Sequence, residues 1–172
     1  LKCVTSGESH GKGLLGSLEG CLAGLEISVE YINTQLSRRQ KGHGRGKRML
    51  IENDRAEIYT GVRFGKTLGS PIGLIIPNKD WSNWQNKMSV KPSNTDVRKI
   101  QVPRPGHADL AGIQKFGFDD IRNVLERSSA RETATRVALS AICRKLLQEV
   151  DIKIASRVMS IGDAKDTTAL PD

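Results

Sequence analysis

Arg127-Ser128-Ser129-Ala130-Arg131-Glu132-Thr133-Ala134 runs directly into Thr135-Arg136-Val137-Ala138-Leu139-Ser140-Ala141-Ile142. Ser129 and Glu132 have the Ser-x-x-Glu spacing of a capping box, in which a hydroxyl and a carboxylate satisfy amide groups left open at a helix start. Ala134, Val137, Ala138, Ala141 and Ile142 then recur at helical spacing. A long helix is predicted from about Ala130. Working outward, Leu14 to Leu22 mixes apolar and small residues between Gly13 and Gly24, as a buried strand does. Ser28 is placed to cap a second helix carrying Val29, Ile32 and Leu36, which ends near Arg39 because Gly42, Gly44 and Gly46 oppose its continuation. Ala56 to Val62 and Pro71 to Pro77 read as two strands joined by a glycine-containing turn, and Asn78 to Val102 as a polar excursion over the surface. Asp151 to Val158 is predicted to return as a strand.

The 172 residues, 37% hydrophobic and 27% charged, are enough to bury one core. The densest apolar patch, Ile72 to Ile76, is closed by Pro71 and Pro77 and is far shorter than the roughly 18 apolar residues of a membrane span. A soluble protein is expected. Leu1-Lys2-Cys3-Val4-Thr5 has no secretory pattern, and Cys3, Cys21 and Cys143 form neither a disulfide framework nor a metal-ligand spacing, which fits a cytoplasmic protein without a metal. The excess of 27 Lys and Arg over 19 Asp and Glu, a charge of +8, implies an anionic partner. With only 4% aromatic residues, the chain is poorly supplied for stacking bases, which weakens a single-strand nucleic-acid reading.

Basic or polar residues cluster with glycine in Gly7-Glu8-Ser9-His10-Gly11, in Arg38-Arg39-Gln40-Lys41-Gly42-His43-Gly44-Arg45-Gly46-Lys47-Arg48, and in Arg104-Pro105-Gly106-His107-Ala108-Asp109. Arg127 to Glu132 is a further cluster, with Ser128 and Ser129 where a helix start presents open N–H groups and Arg127 and Arg131 on either side. Each cluster has a plainer reading. Ser129 and Glu132 are explained by capping alone, Arg38 and Arg39 by the favourable placing of cations at a helix end, and His10 and His107 as surface histidines. Taken together, histidine suits proton transfer near neutrality, and arginine on rigid turns suits bidentate contact with carboxylate or phosphate. A phosphate- and carboxylate-binding site follows, and no nucleotide-loop or nucleophile-elbow motif competes with it.

At these clusters, in order and in spacing, the chain resembles the chorismate synthase family; His43 departs from it, many members having Tyr before the Gly-Arg-Gly. The resemblance implies an α+β fold, a layered α/β sandwich with internal pseudo-symmetry, assembled as a homotetramer. It implies the anti-1,4-elimination of phosphate from 5-enolpyruvylshikimate 3-phosphate, a step in aromatic amino acid biosynthesis that requires reduced FMN without net oxidation or reduction. Ser9, Arg39, Arg45, Arg48, Arg104, Ser129 and Arg131 would hold the substrate. His10 would protonate the departing phosphate, and His107 would protonate the reduced flavin or hold its proton. Arg127, Ser128, Ser129 and Ala130 would border FMN, and Arg39 and Arg45 match positions that contact NADP, with NADPH a reductant for the flavin. No nucleic-acid or membrane partner is implied. The resemblance covers the whole chain but only part of a usual member, which makes residues 1–172 the amino-terminal part of a single domain whose carboxy-terminal half, with most flavin contacts and a proton-abstracting Asp, lies outside this sequence. Two other readings stand beside it: a basic module for RNA or other polyanions, and a non-catalytic fragment.

Overall fold

The alternation of buried and exposed residues along Gly13–Glu19 shows how the sheet is built. Leu14, Gly16 and Leu18 point inward and Leu15 outward, as a strand with one covered face requires. In the computed structural model, which describes residues 1–41, 51–93 and 97–168, this strand, β2, pairs with β1 (Lys2–Ser6) and, through Leu14 opposite Ile76 and Leu18 opposite Ile72, with a strand at Ile72–Pro77. Before that strand come β3 (Ala23–Glu26), helix α1 (Val29–Gln40), β4 (Glu57–Thr60), β5 (Val62–Arg63) and β6 (Lys66–Leu68), so Ile72–Pro77 is β7. The four-stranded antiparallel sheet has the order β1-β2-β7-β4, and β3, β6 and β5 form a second small sheet. After β7 come a 3-10 turn (Lys79–Asn83), α2 (Asp109–Phe116), α3 (Arg122–Ser128), a 3-10 turn (Ala130–Glu132), α4 (Thr133–Gln148) and a small hairpin, β8 (Ser160–Ile161) with β9 (Ala164–Lys165).

The fold mixes helix and sheet, with α4 lying across one face of the large sheet and α1 packed against α4. Gly16 permits this approach, because a Cβ there would sit 2.7 Å from Thr135 Cγ2 and 3.1 Å from both Leu139 methyls. Ala134, Ala138, Leu139 and Ile142 of α4, Ile32 and Leu36 of α1, and Leu14, Leu18, Ile72, Leu74 and Ile76 of the sheet make one continuous core. Each large side chain buried there contributes about 1.5–3 kcal/mol.

Several expectations hold. Ser28 caps α1, accepting from the Tyr31 amide, and the helix ends at Gln40. Others are corrected. The strands near Ala56 and Pro71 are joined not by one turn but by the β5–β6 hairpin, where Gly61 and Gly65 have positive φ. Asp151 to Val158 is not a strand: Asp151 lies at φ 58, and Ile152, Ile154 and Val158 are exposed with no neighbouring strand among the described residues to receive their backbone. The capping box is half formed. Ser129 Oγ accepts from the Arg131 amide, whereas the Glu132 carboxylate accepts from Thr5 Oγ1 at 2.7 Å and from Arg136, so a 3-10 turn precedes α4. Among the described residues no helix is long and apolar enough to cross a membrane.

Candidate active site

The loop between β1 and β2 turns at Gly7, whose φ of 92° and 2.4 Å gap from an added Cβ to the Gly13 carbonyl oxygen admit only glycine. The turn delivers the next residues to α3. Ser9, 1% exposed, donates its amide to the Glu126 carbonyl at 3.0 Å, and the His10 amide donates to Glu126 Oε2 at 2.7 Å. The His10 ring places Nδ1 2.9 Å from Oε1 and 3.1 Å from Oε2 of the same carboxylate. Arg122, one helical turn earlier, donates to Oε1 at 3.1 Å. Burial, the largest single influence on Glu126, raises its carboxyl pKa, yet the hydrogen bonds from the His10 ring and amide and the charges of His10 and Arg122 together outweigh it and hold the group below its ordinary value. An ionised carboxylate only accepts, so Nδ1 carries the ring proton. Nε2 has no hydrogen-bond partner among the described residues. Trp84 closes one face of the imidazole, with ring centroids 3.9 Å apart and planes tilted by 32°. Trp84 is itself anchored through Nε1, which donates to Asp80 at 2.8 Å.

Ser9 Oγ donates to Ser129 Oγ at 3.0 Å, so the histidine loop and the start of the 3-10 turn meet directly. Arg131 follows, its side chain only 5% exposed. Its Nε donates to Asn78 Oδ1 at 2.9 Å and its Nη1 pairs with Asp54, while Nη2 lies 3.7 Å from Glu52 and makes no hydrogen bond among the described residues. Arg39, at the end of α1, donates from Nε to Thr133 Oγ1 at 2.9 Å, from Nη1 to Asp54 Oδ2 at 3.2 Å and from Nη2 to the Ala130 carbonyl at 3.0 Å. Buried guanidinium groups need such partners, because an unpaired buried charge is strongly destabilising. Asn78 completes the frame by donating to the carbonyls of Glu8 and Gly11.

Arg127 donates to the carbonyls of Gly7 and Thr5, and with Ser128 it lines a cavity of about 540 Å³ walled by Phe116, Phe118 and Val124. Apolar walls with two cations, Lys115 and Arg127, at the rim are a donor set that suits a flat ring carrying an anionic tail. Arg104 makes a two-point contact with Asp109, at 2.8 and 2.9 Å, and His107 is exposed in the loop between them. That loop reaches the rest of the site through α2, which packs on α3 where a Cβ on Gly112 would lie 2.3 Å from Val124. Arg45 and Arg48, with His43, lie outside the described residues.

Ser9, His10, Arg39, Arg127, Ser128, Ser129, Ala130 and Arg131 are therefore brought into one connected region, whereas no direct contact links His107 or Arg104 to His10 among the described residues. Glu126, Arg122, Trp84, Asp54 and Asn78 escaped the sequence reading. Glu126 did offer a signal, standing immediately before Arg127-Ser128-Ser129. Trp84 and Asn78 were hidden in a stretch read as surface, although Asn78 is 5% exposed and belongs to the site.

The family model for chorismate synthase matches residues 1–171. A chorismate synthase from Aquifex aeolicus (strain VF5) is 57% identical over 173 residues, covering 100% of this chain and 43% of the relative. One from Sulfurihydrogenibium sp. (strain YO3AOP1) is 54% identical over 165 residues, covering 96% of this chain and 42% of the relative. A crystal structure of chorismate synthase superposes with a TM-score of 0.73 at 47% identity, covering 96% of this chain and 39% of that one. The chain thus spans about two fifths of the length of these relatives. Matched nearly from end to end by the family model and more than half identical to these curated relatives, it belongs to the chorismate synthase family.

Proposed function

We propose that this chain supplies the proton-donating and anion-clamping part of a carbon–oxygen lyase that eliminates phosphate from 5-enolpyruvylshikimate 3-phosphate to give chorismate. The observation that carries the proposal is the His10 imidazole, which is fixed at Nδ1 by an ionised buried carboxylate and has Nε2 without a partner beside the Ser9–Ser129 pair. In its doubly protonated form a histidine held in this way donates the Nε2 proton to a departing phosphate oxygen, keeps the Nδ1 proton hydrogen-bonded to Glu126, and is reprotonated at Nε2 from solvent. Ser9 and Ser129 place hydroxyls next to it, and Arg131 brings a buried guanidinium to the same region, paired with Asp54 and Glu52. Arg39 and Asp54 hold Arg131 and the Ala130 carbonyl in place. Arg45, Arg48 and Arg104 add charge to the substrate clamp, and the excess of Lys and Arg in the whole chain favours the approach of a substrate with two carboxylates and a phosphate.

Reduced FMN would be held at the apolar cavity that Arg127 and Ser128 line, with Ser129 and Ala130 following in the chain, and it would lend electron density to the elimination and take it back without net redox change. His107 holds a proton near that ring, and Arg39 and Arg45 are the contacts for an NADPH reductant. The protein at full length is a cytoplasmic, layered α/β sandwich with internal pseudo-symmetry, of which residues 1–172 are the amino-terminal part, and it assembles as a homotetramer. It works on a small molecule rather than on nucleic acid or a membrane. In the full-length protein, His10→Ala and His107→Ala should each lower turnover by roughly 10² to 10⁴, the usual value of a positioned proton donor, with substrate affinity nearly unchanged. Stopped-flow turnover and equilibrium binding of the substrate measure the two quantities, and turnover close to the parent's in both variants would remove the histidines from the mechanism.

A further inference from the structure

We infer that Glu126 is a positioning residue for His10: its buried carboxylate fixes the imidazole with the proton on Nδ1 and holds a negative charge against the imidazolium, so that Nε2 can act as the acid. The inference rests on the proton-donor reading of His10 and deepens it. Glu126 grips the same two residues by both its carbonyl and its carboxylate. Its carbonyl accepts from the Ser9 amide, and its carboxylate accepts from the His10 amide and from the ring. With a side chain 2% exposed, the carboxylate is shielded from water and meets the ring directly. Arg122 orients it in turn, donating from Nη1 while its guanidinium lies 4.9 Å from the Trp84 ring centre.

The ring is enclosed as well as charged. Trp84 lies over one face, held by Asp80, and Lys87 stands 5.1 Å from the same indole. The charged groups surrounding His10 are therefore Glu126 and Arg122 from α3, and Asp80 and Lys87 from the segment after β7. Glu126 alone among them bonds the imidazole. A structural role for Glu126, simply tying the loop to α3, would require only the Ser9 amide on its carbonyl and the His10 amide on its carboxylate. The ring contact adds what catalysis uses: one tautomer, one orientation and a stabilised cation.

The test is a double-mutant cycle on the full-length protein, with turnover, substrate KM and the pH profile of turnover measured for the parent, Glu126→Gln, Glu126→Asp, His10→Ala and His10→Ala/Glu126→Gln. Glu126→Gln keeps the size of the side chain and loses its charge. Turnover should fall by at least about tenfold and the alkaline limb of the profile should move to lower pH, because the acid loses its neighbouring negative charge. KM should stay within about twofold, since Glu126 is walled off from the substrate by His10. Glu126→Asp keeps the charge and should recover most of the alkaline limb, and it carries the test if Glu126→Gln does not fold. In the His10→Ala background, Glu126→Gln should cost nothing further, the mark of a residue that acts through another. A loss equal in both backgrounds, or an alkaline limb that stays in place, would overturn the role given to Glu126 while leaving His10 as the acid. If His10→Ala alone leaves turnover intact, the proton-donor reading itself fails.

Discussion

Asp109 has no exposed surface, and its carboxylate takes the Arg104 amide, Nε and Nη2 at once. The Arg104 hydrogen bond, above all, lowers its pKa from 3.8 to about 2. A carboxyl depressed on folding contributes stability that is complete above its unfolded pKa and is lost as pH falls through the folded one. The contribution of Asp109 is therefore present above pH 3.8 and gone below about 2. Asp109→Asn should lower the thermal midpoint at neutral pH, and the gap to the parent should close as pH falls across that window. A gap that stays constant down to the acid end would mean that the pair does not stabilise the fold. The sequence shows His10, Arg127 and Arg131 plainly, because they stand in compact runs with Gly or Ser. Their anionic partners were harder to see. Glu126 lies 116 residues from His10 and Asp54 lies 77 from Arg131, so the pairings are made by topology and leave no local pattern.

At the scale of elements, periodicity and capping residues told most. The Ser28 cap, the end of α1 before the glycine-rich loop and the apolar stripe of α4 are all set by local physics. Where a neighbour decides, local pattern misled: Asp151 to Val158 has strand-like residues but no strand to pair with among those described, and Glu132 leaves its capping role for Thr5 on β1. Gly16 is a position where sheet and helix must meet without a side chain between them. Gly16→Ala should overpack that contact at a cost of about 1–3 kcal/mol, read as a lower midpoint in chemical denaturation. Because α4 begins at the arginine-serine cluster, the same substitution should also weaken substrate binding by shifting Ser129 and Arg131. A variant as stable as the parent would show that α4 does not rest on the sheet at this point.

For the whole molecule, family membership rests on the matched sequence, and the connected region from His10 to Arg131 is compatible with the proposed acid beside an anion clamp. The relatives are more than twice as long as this chain, and Val4, Leu15 and Tyr59 are partly exposed around the free face of the large sheet. The proposal therefore places a complete active site in the full-length protein, with these residues as its acid and anion clamp. The most direct measurement is an anaerobic assay of that protein with 5-enolpyruvylshikimate 3-phosphate and either reduced or oxidised FMN, following chorismate absorbance and released phosphate together. The account predicts that chorismate and phosphate appear in equal amounts with reduced FMN, repeatedly and without consuming the reductant, and that neither appears with oxidised FMN. Phosphate release without chorismate, or no reaction with reduced FMN, would contradict it.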